Sequence, residues 1–190
     1  MNLKLQNVEV MVLVAQENKM KIKGITDECF SDFKLPSMYI AFPKCSLKCD
    51  KENKNNYCQN SSLLNEPTID IEKEKLIKRY LNNPITEAIV LGGLEPFDSE
   101  LDLLPFIDCL RRQYNCEDPI IIYTGYTEQE LETGNWGNGT KDEQIKYFNS
   151  LISYKNIIIK FGRFRPNEEK HFDDILGVNL ASNNQYAKKY

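Results

Sequence analysis

SMYIAFPKCSLKCDKENKNNYCQN, residues 37–60, runs from a short apolar segment through Pro43 straight into a loop that holds Cys45, Cys49 and Cys58. An apolar run this short, closed by a breaker, reads as a buried strand. The same grammar recurs downstream. Residues 87–91 (EAIVL) end in Gly92-Gly93, residues 119–123 (PIIIY) end in Thr124-Gly125, and residues 156–161 (NIIIKF) end at Gly162. Between these runs lie helical patterns: 67–81 with Ile71, Leu76, Ile77 and Leu81 in phase and Asp70 early in the first turn, then 99–114 behind a Ser99 cap, with Leu101, Leu104, Phe106, Ile107 and Leu110 as core candidates. Thr127 opens a short helix with a capping pattern, and residues 143–151 form another. All-apolar strands alternating with helices specify an α/β fold: a mostly parallel sheet with flanking helices, covered on both faces or rolled into an incomplete barrel. In such folds ligands gather at the carboxyl ends of the strands, so the cysteine loop and the glycine segments should converge on one rim.

The chain has 190 residues, which suits one domain. Residues 8–14 (VEVMVLV) and 20–25 (MKIKGI) predict an N-terminal hairpin extension over residues 1–36, ahead of a core spanning 37–187. No apolar run approaches the roughly 18 residues of a membrane span. The N-terminus lacks the basic start and apolar core of a secretory signal, which predicts a cytoplasmic protein. A net charge of −4 gives no electrostatic reason to expect nucleic acid. In a reducing compartment a cysteine cluster is better explained by metal or redox chemistry than by disulfides.

Cys45, Cys49 and Cys58 form C-x3-C-x8-C. Three soft thiolates on one loop suit zinc or an iron–sulfur cluster. Structural zinc commonly uses two C-x2-C pairs or histidines; here C-x2-C is absent and the one histidine, His171, lies in a charged stretch far along the chain. Three thiolates on a four-iron cluster leave one iron open, as catalysis requires. Zinc completed by Cys29 and unligated thiols stay open as alternatives, while Cys29, Cys109 and Cys116 otherwise read as structural thiols.

The loop resembles a lengthened form of the C-x3-C-x2-C signature of radical S-adenosylmethionine (SAM) enzymes, with Tyr57 in the aromatic place before the third cysteine. Residues 92–96 (GGLEP) are similar to that superfamily's GGEP segment with Leu94 inserted. Within it the chain resembles the small activases of anaerobic ribonucleotide reductase, through Tyr123-Thr124-Gly125-Tyr126 with Glu130-Leu131, residues 160–164 (KFGRF), and residues 176–185 ending in Asn184-Gln185. The resemblance implies an incomplete (β/α) barrel, a [4Fe-4S] cluster on Cys45, Cys49 and Cys58, and SAM as second cofactor. It implies contact with SAM by Tyr57, Gly92, Gly93, Glu95, Thr124 and Lys160. The activity implied is reductive cleavage of SAM to methionine and a 5′-deoxyadenosyl radical, which takes hydrogen from a glycine of a partner glycyl-radical enzyme. Flavodoxin or ferredoxin would supply the electron. Stretching the loop from two to eight residues costs roughly 1.2 kcal/mol of closure entropy, small beside the roughly 10 kcal/mol of structural zinc ligation.

Several residues keep two readings. Lys44, Lys48, Lys51 and Lys54 either tune the cluster and guide an acidic donor or are solvated. Thr124 and Gly125 border a ribose or make a plain turn; Lys160 and Arg163 meet a carboxylate or form a salt bridge. Asn184 and Gln185 dock substrate or cap the C-terminal structure. Trp136 contacts a partner or folds onto the core. The other functional readings are a radical SAM enzyme acting on a small molecule and a non-catalytic Fe–S or zinc interaction module.

Overall fold

The computed structural model describes residues 18–54 and 57–190. Its elements run β1 (Lys19–Ile22), β2 (Gly24–Cys29), β3 (Ser37–Phe42), the short helix α1 (Lys48–Asn53), β4 (Ile69–Glu72), α2 (Lys73–Leu81) and β5 (Ala88–Gly93). There follow α3 (Glu100–Asp108), β6 (Ile120–Tyr123), α4 (Glu128–Glu132), α5 (Lys141–Ile152), β7 (Ile157–Phe161), β8 (His171–Asp173), β9 (Val178–Leu180) and β10 (Tyr186–Lys189). The central sheet has six strands in the order β10-β7-β6-β5-β3-β2. The four inner strands are parallel, and β2 and β10 close the two edges antiparallel.

Side-chain parity explains the layers. Met38, Ile40 and Phe42, with Ile89, Leu91, Ile120, Ile122, Ile157, Ile159 and Phe161, point into the larger core. There they meet Leu76, Ile77 and Tyr80 of α2, Leu103, Phe106 and Ile107 of α3, and Phe148 and Leu151 of α5. The intervening residues Ala88, Val90, Ile121 and Ile158 face a smaller core against Phe33, Leu176 and Leu180. The helical layer thus contributes to the larger core, and the 33–35 segment with the β8–β9 hairpin covers the smaller one. Toward the carboxyl ends of the strands the residues of this second parity become polar: Tyr39, Tyr123 and Lys160 follow the aliphatic positions. That change of chemistry within one face makes the floor of a cavity. Among the described residues the sheet is open at both edges and closes no barrel.

Four expectations are corrected. Residues 69–72 are a strand and not the first turn of a helix: Ile69, Asp70, Ile71 and Glu72 pair antiparallel with β1, and helix α2 starts only at Lys73. The alternating IDIE pattern with β-branched isoleucines favours that pairing. Asp70 therefore stands in a strand, 3.4 Å from Lys21. Leu101 is 81% exposed, because α3 buries the Leu103–Phe106–Ile107 stripe and Leu101 lies off it. Ser99 precedes α3 without a side-chain cap, and regular α-helix ends at Asp108, followed by a π turn (Cys109–Gln113). Residues 8–14, and so the expected hairpin partner of β1, lie outside the described residues. No helix among those described is long and apolar enough to cross a membrane.

Candidate metal centre

At the carboxyl ends of the parallel strands lies a cavity of about 300 Å³. Cys45, Cys49 and Cys58 line it together with Gly93, Leu94, Glu95, Thr124, Gly125 and Lys160. Chain segments more than a hundred residues apart meet here because the four inner strands point the same way. Register brings their ends level: Phe42 pairs with Gly93, and Tyr123 with Lys160.

The cysteine loop leaves β3 and is tied down at once. Glu95 N donates to Lys44 O at 2.7 Å, the Ser46 amide donates to Asp98, and Leu47 N reaches Cys45 Sγ at 3.3 Å. Leu47 enters α1 in the left-handed region (φ 55°) and Lys54 leaves it likewise (φ 53°). Asp50 Oδ1 then accepts from Tyr57 N at 2.9 Å and Cys58 N at 2.8 Å, so the chain crosses back where it left. Asn60 follows and donates its side-chain amide to Gly93 O.

Gly93 adopts φ +83°, and a Cβ there would sit 2.7 Å from Ala41 Cα, so only glycine fits the bend. Its amide donates to Tyr39 Oη. Glu95 is 5% exposed, with every bond to its carboxylate coming from a donor. Thr124 Oγ1 (2.8 Å) and Phe97 N (3.1 Å) reach Oε1, and Gly125 N reaches Oε2 at 2.8 Å. Burial, then the nearby Asp98 charge, push this carboxyl up to about 7 against those donors. Opposite stands Lys160, 7% exposed, its Nζ donating to Gly162 O at 2.9 Å. Burial pulls its ammonium down to about 8, against the favourable charge of Glu95. One cavity thus carries a buried carboxyl and a buried amine.

Arg163 takes the salt-bridge alternative. It is 7% exposed, donates to Glu130 Oε1 at 2.6 Å, and places Nε 3.3 Å from Glu52 Oε1 as an ion pair without hydrogen-bond alignment. Lys48 Nζ lies 3.6 Å from the same Glu130 oxygen and 4.5 Å from the Tyr126 ring centroid, whereas Lys44, Lys51 and Lys54 are exposed. Tyr57 is 39% exposed and, like Gly92, stands outside the cavity lining. Gln185 Oε1 accepts from Ala181 N and Ser182 N, its Nε2 donates to Gly162 O, and Asn184 Nδ2 donates to Arg163 O. These two residues brace the C-terminal turn against the cavity wall. Trp136 is buried at 3% between Phe97 and Tyr147, folded onto the core. Cys109 and Cys116 are buried in the core; Cys29 Sγ contacts Asp32 Oδ2 at 2.9 Å. The sequence reading passed over Asp50, Asn60, Asp98 and Tyr39. Each is an ordinary polar residue whose role comes from a partner distant in sequence or across a loop.

Three thiols on one cavity can hold a group of several atoms. Burial pushes the Cys45 thiol up to about 12 and also raises Cys49, with Cys58 as its next cause. The metal-free chain therefore holds neutral thiols at these two positions, and metal uptake releases their protons. Comparison with curated proteins finds no match, and comparison with solved structures finds none either. A family model described as a 4Fe-4S single cluster domain matches residues 37–185. With three cysteines on one cavity and most of its length matched, the chain belongs to the family of 4Fe-4S single cluster domains.

Proposed function

We propose that the protein is a SAM-dependent radical enzyme of the glycyl-radical activase type, with an anaerobic ribonucleotide reductase as its protein substrate and flavodoxin or ferredoxin as its electron donor. The observation that carries this reading is the sharing of one cavity by three thiols, the Glu95 carboxyl and the Lys160 amine. What the bound [4Fe-4S] cluster supplies is one electron to the sulfonium of SAM, giving methionine and a 5′-deoxyadenosyl radical that leaves as 5′-deoxyadenosine once it has taken hydrogen from a partner's glycine Cα.

The chain's own residues do the rest. Cys45, Cys49 and Cys58 supply three ligands, which leaves a fourth position for substrate. The carbonyl edge of Gly93-Leu94 and the negative charge at Glu95 suit an ammonium group, and Lys160 suits a carboxylate. An amino-acid moiety carries both. Thr124 and Gly125 hold Glu95 by its two oxygens, which fixes the charge without a mobile side chain.

Anaerobic reconstitution should yield a brown protein with about four irons per chain. The electron paramagnetic resonance signal of its reduced form should change when SAM is added, and 5′-deoxyadenosine should accumulate. Incubation with a candidate reductase should then give a glycyl-radical signal. Deoxyadenosine without a protein radical would point to a small-molecule substrate. A colourless protein holding one zinc would sink the enzyme reading.

A further inference from the structure

Residues 50–57, between the second and third cluster cysteines, begin on a short helix that is fastened at two points. One is the neck. A single carboxylate oxygen, Asp50 Oδ1, receives the amides of both Tyr57 and Cys58, the latter belonging to a ligand itself. The other is the flank. Lys48 and Glu52, one turn apart on α1 with Cys49 between them, reach the ion pair of Glu130 with the buried Arg163. The Asp50 bonds tie the start of the excursion directly to its end.

We infer that Asp50 is a positioning residue for the cluster, presetting the place of Cys58 relative to Cys49, and that the α1 turn is a clamp rather than slack. The inference rests on the cluster reading but not on SAM or on a partner. A carboxylate that binds two main-chain amides loses both bonds in Asp50→Ala. Asp50→Asn keeps an acceptor oxygen in the same place. Groups that orient metal ligands commonly change metal affinity by about 10–100-fold when removed.

The test uses the full chain, loaded anaerobically with iron and sulfide and then challenged with an excess of a ferrous chelator while the cluster absorbance is followed. Asp50→Ala should lose its cluster about tenfold faster than wild type, and Asp50→Asn should stay within about threefold. The reduced Asp50→Ala cluster should give a broadened resonance signal, reporting a spread of ligand geometries. The metal-free Asp50→Ala chain should remain folded at the assay temperature, its midpoint lowered only modestly by the two lost bonds. Decay of Asp50→Ala at the wild-type rate would overturn the inference. So would a fall in the metal-free midpoint large enough to explain the faster loss. A cluster that is retained but never cleaves SAM would sink the activase reading and leave this one standing.

Discussion

Glu130 illustrates how one side chain can couple a cap to a site. Its Oε2 accepts from Thr127 N and Thr127 Oγ1 in a capping box, while Oε1 takes Arg163 and Lys48. Burial opposes its charge, but Arg163, Thr127 and Lys48 together hold the carboxyl below its usual 4.5. A lowered folded-state pKa means the stabilisation is complete above the unfolded carboxyl pKa and is lost as pH falls through the folded one. The thermal midpoint of the metal-free wild type should therefore fall more steeply between about pH 5 and about pH 3 than that of Glu130→Gln. Parallel curves would refute the assignment. At this scale the cysteines, Gly93 and the capping Thr127 were legible, because each signals through its own chemistry or local spacing. Asp50, Asp98 and Asn60 were not. A carboxylate in a lysine-rich loop looks solvated until the fold reveals which amides face it.

Among elements, those with a strong period or an explicit boundary read cleanly, as β3, β5, β6 and β7 did. Helix α5 was legible as a helix from residue 143, but its cap at Thr140 was not. Thr140 accepts from Glu143 N, and Glu143 returns a bond to the Thr140 amide, ahead of the buried Phe148 and Leu151. Thr140→Ala should destabilise the protein by about 1 kcal/mol, seen as a lower urea midpoint with an unchanged slope. Where the reading failed, two patterns competed for the same residues. In 67–81 the apolar positions fit a helix only if Ile71 is counted in it; yet Ile71 belongs equally to an alternating strand, and the decision was made by β1, fifty residues earlier. Leu101 failed for a simpler reason: it stands two places from Leu103, so the helix turns it away from the buried stripe.

At the scale of the molecule, the sequence implied parallel strands and a functional rim, but not how the sheet ends. The edge strands β2 and β10 pair antiparallel with β3 and β7 through short, mixed segments without a buried run of their own. Nor did the β8–β9 hairpin announce itself, since its placement depends on Asp173 accepting from Leu176 N and Ala187 N. The distribution of sulfur through this architecture has a practical consequence. Cys29, Cys45, Cys49 and Cys58 are half-buried, whereas Cys109 and Cys116 are sealed in the core. Exhaustive alkylation followed by intact mass measurement should therefore count the state of each molecule: four modified thiols when folded without metal, six when unfolded, and one, at Cys29, when a cluster occupies the proposed ligands Cys45, Cys49 and Cys58. A loaded chain that still takes up four labels would contradict the ligand set. The chain thus carries its own ledger of folding and loading, readable on a mass spectrum without any assay of turnover.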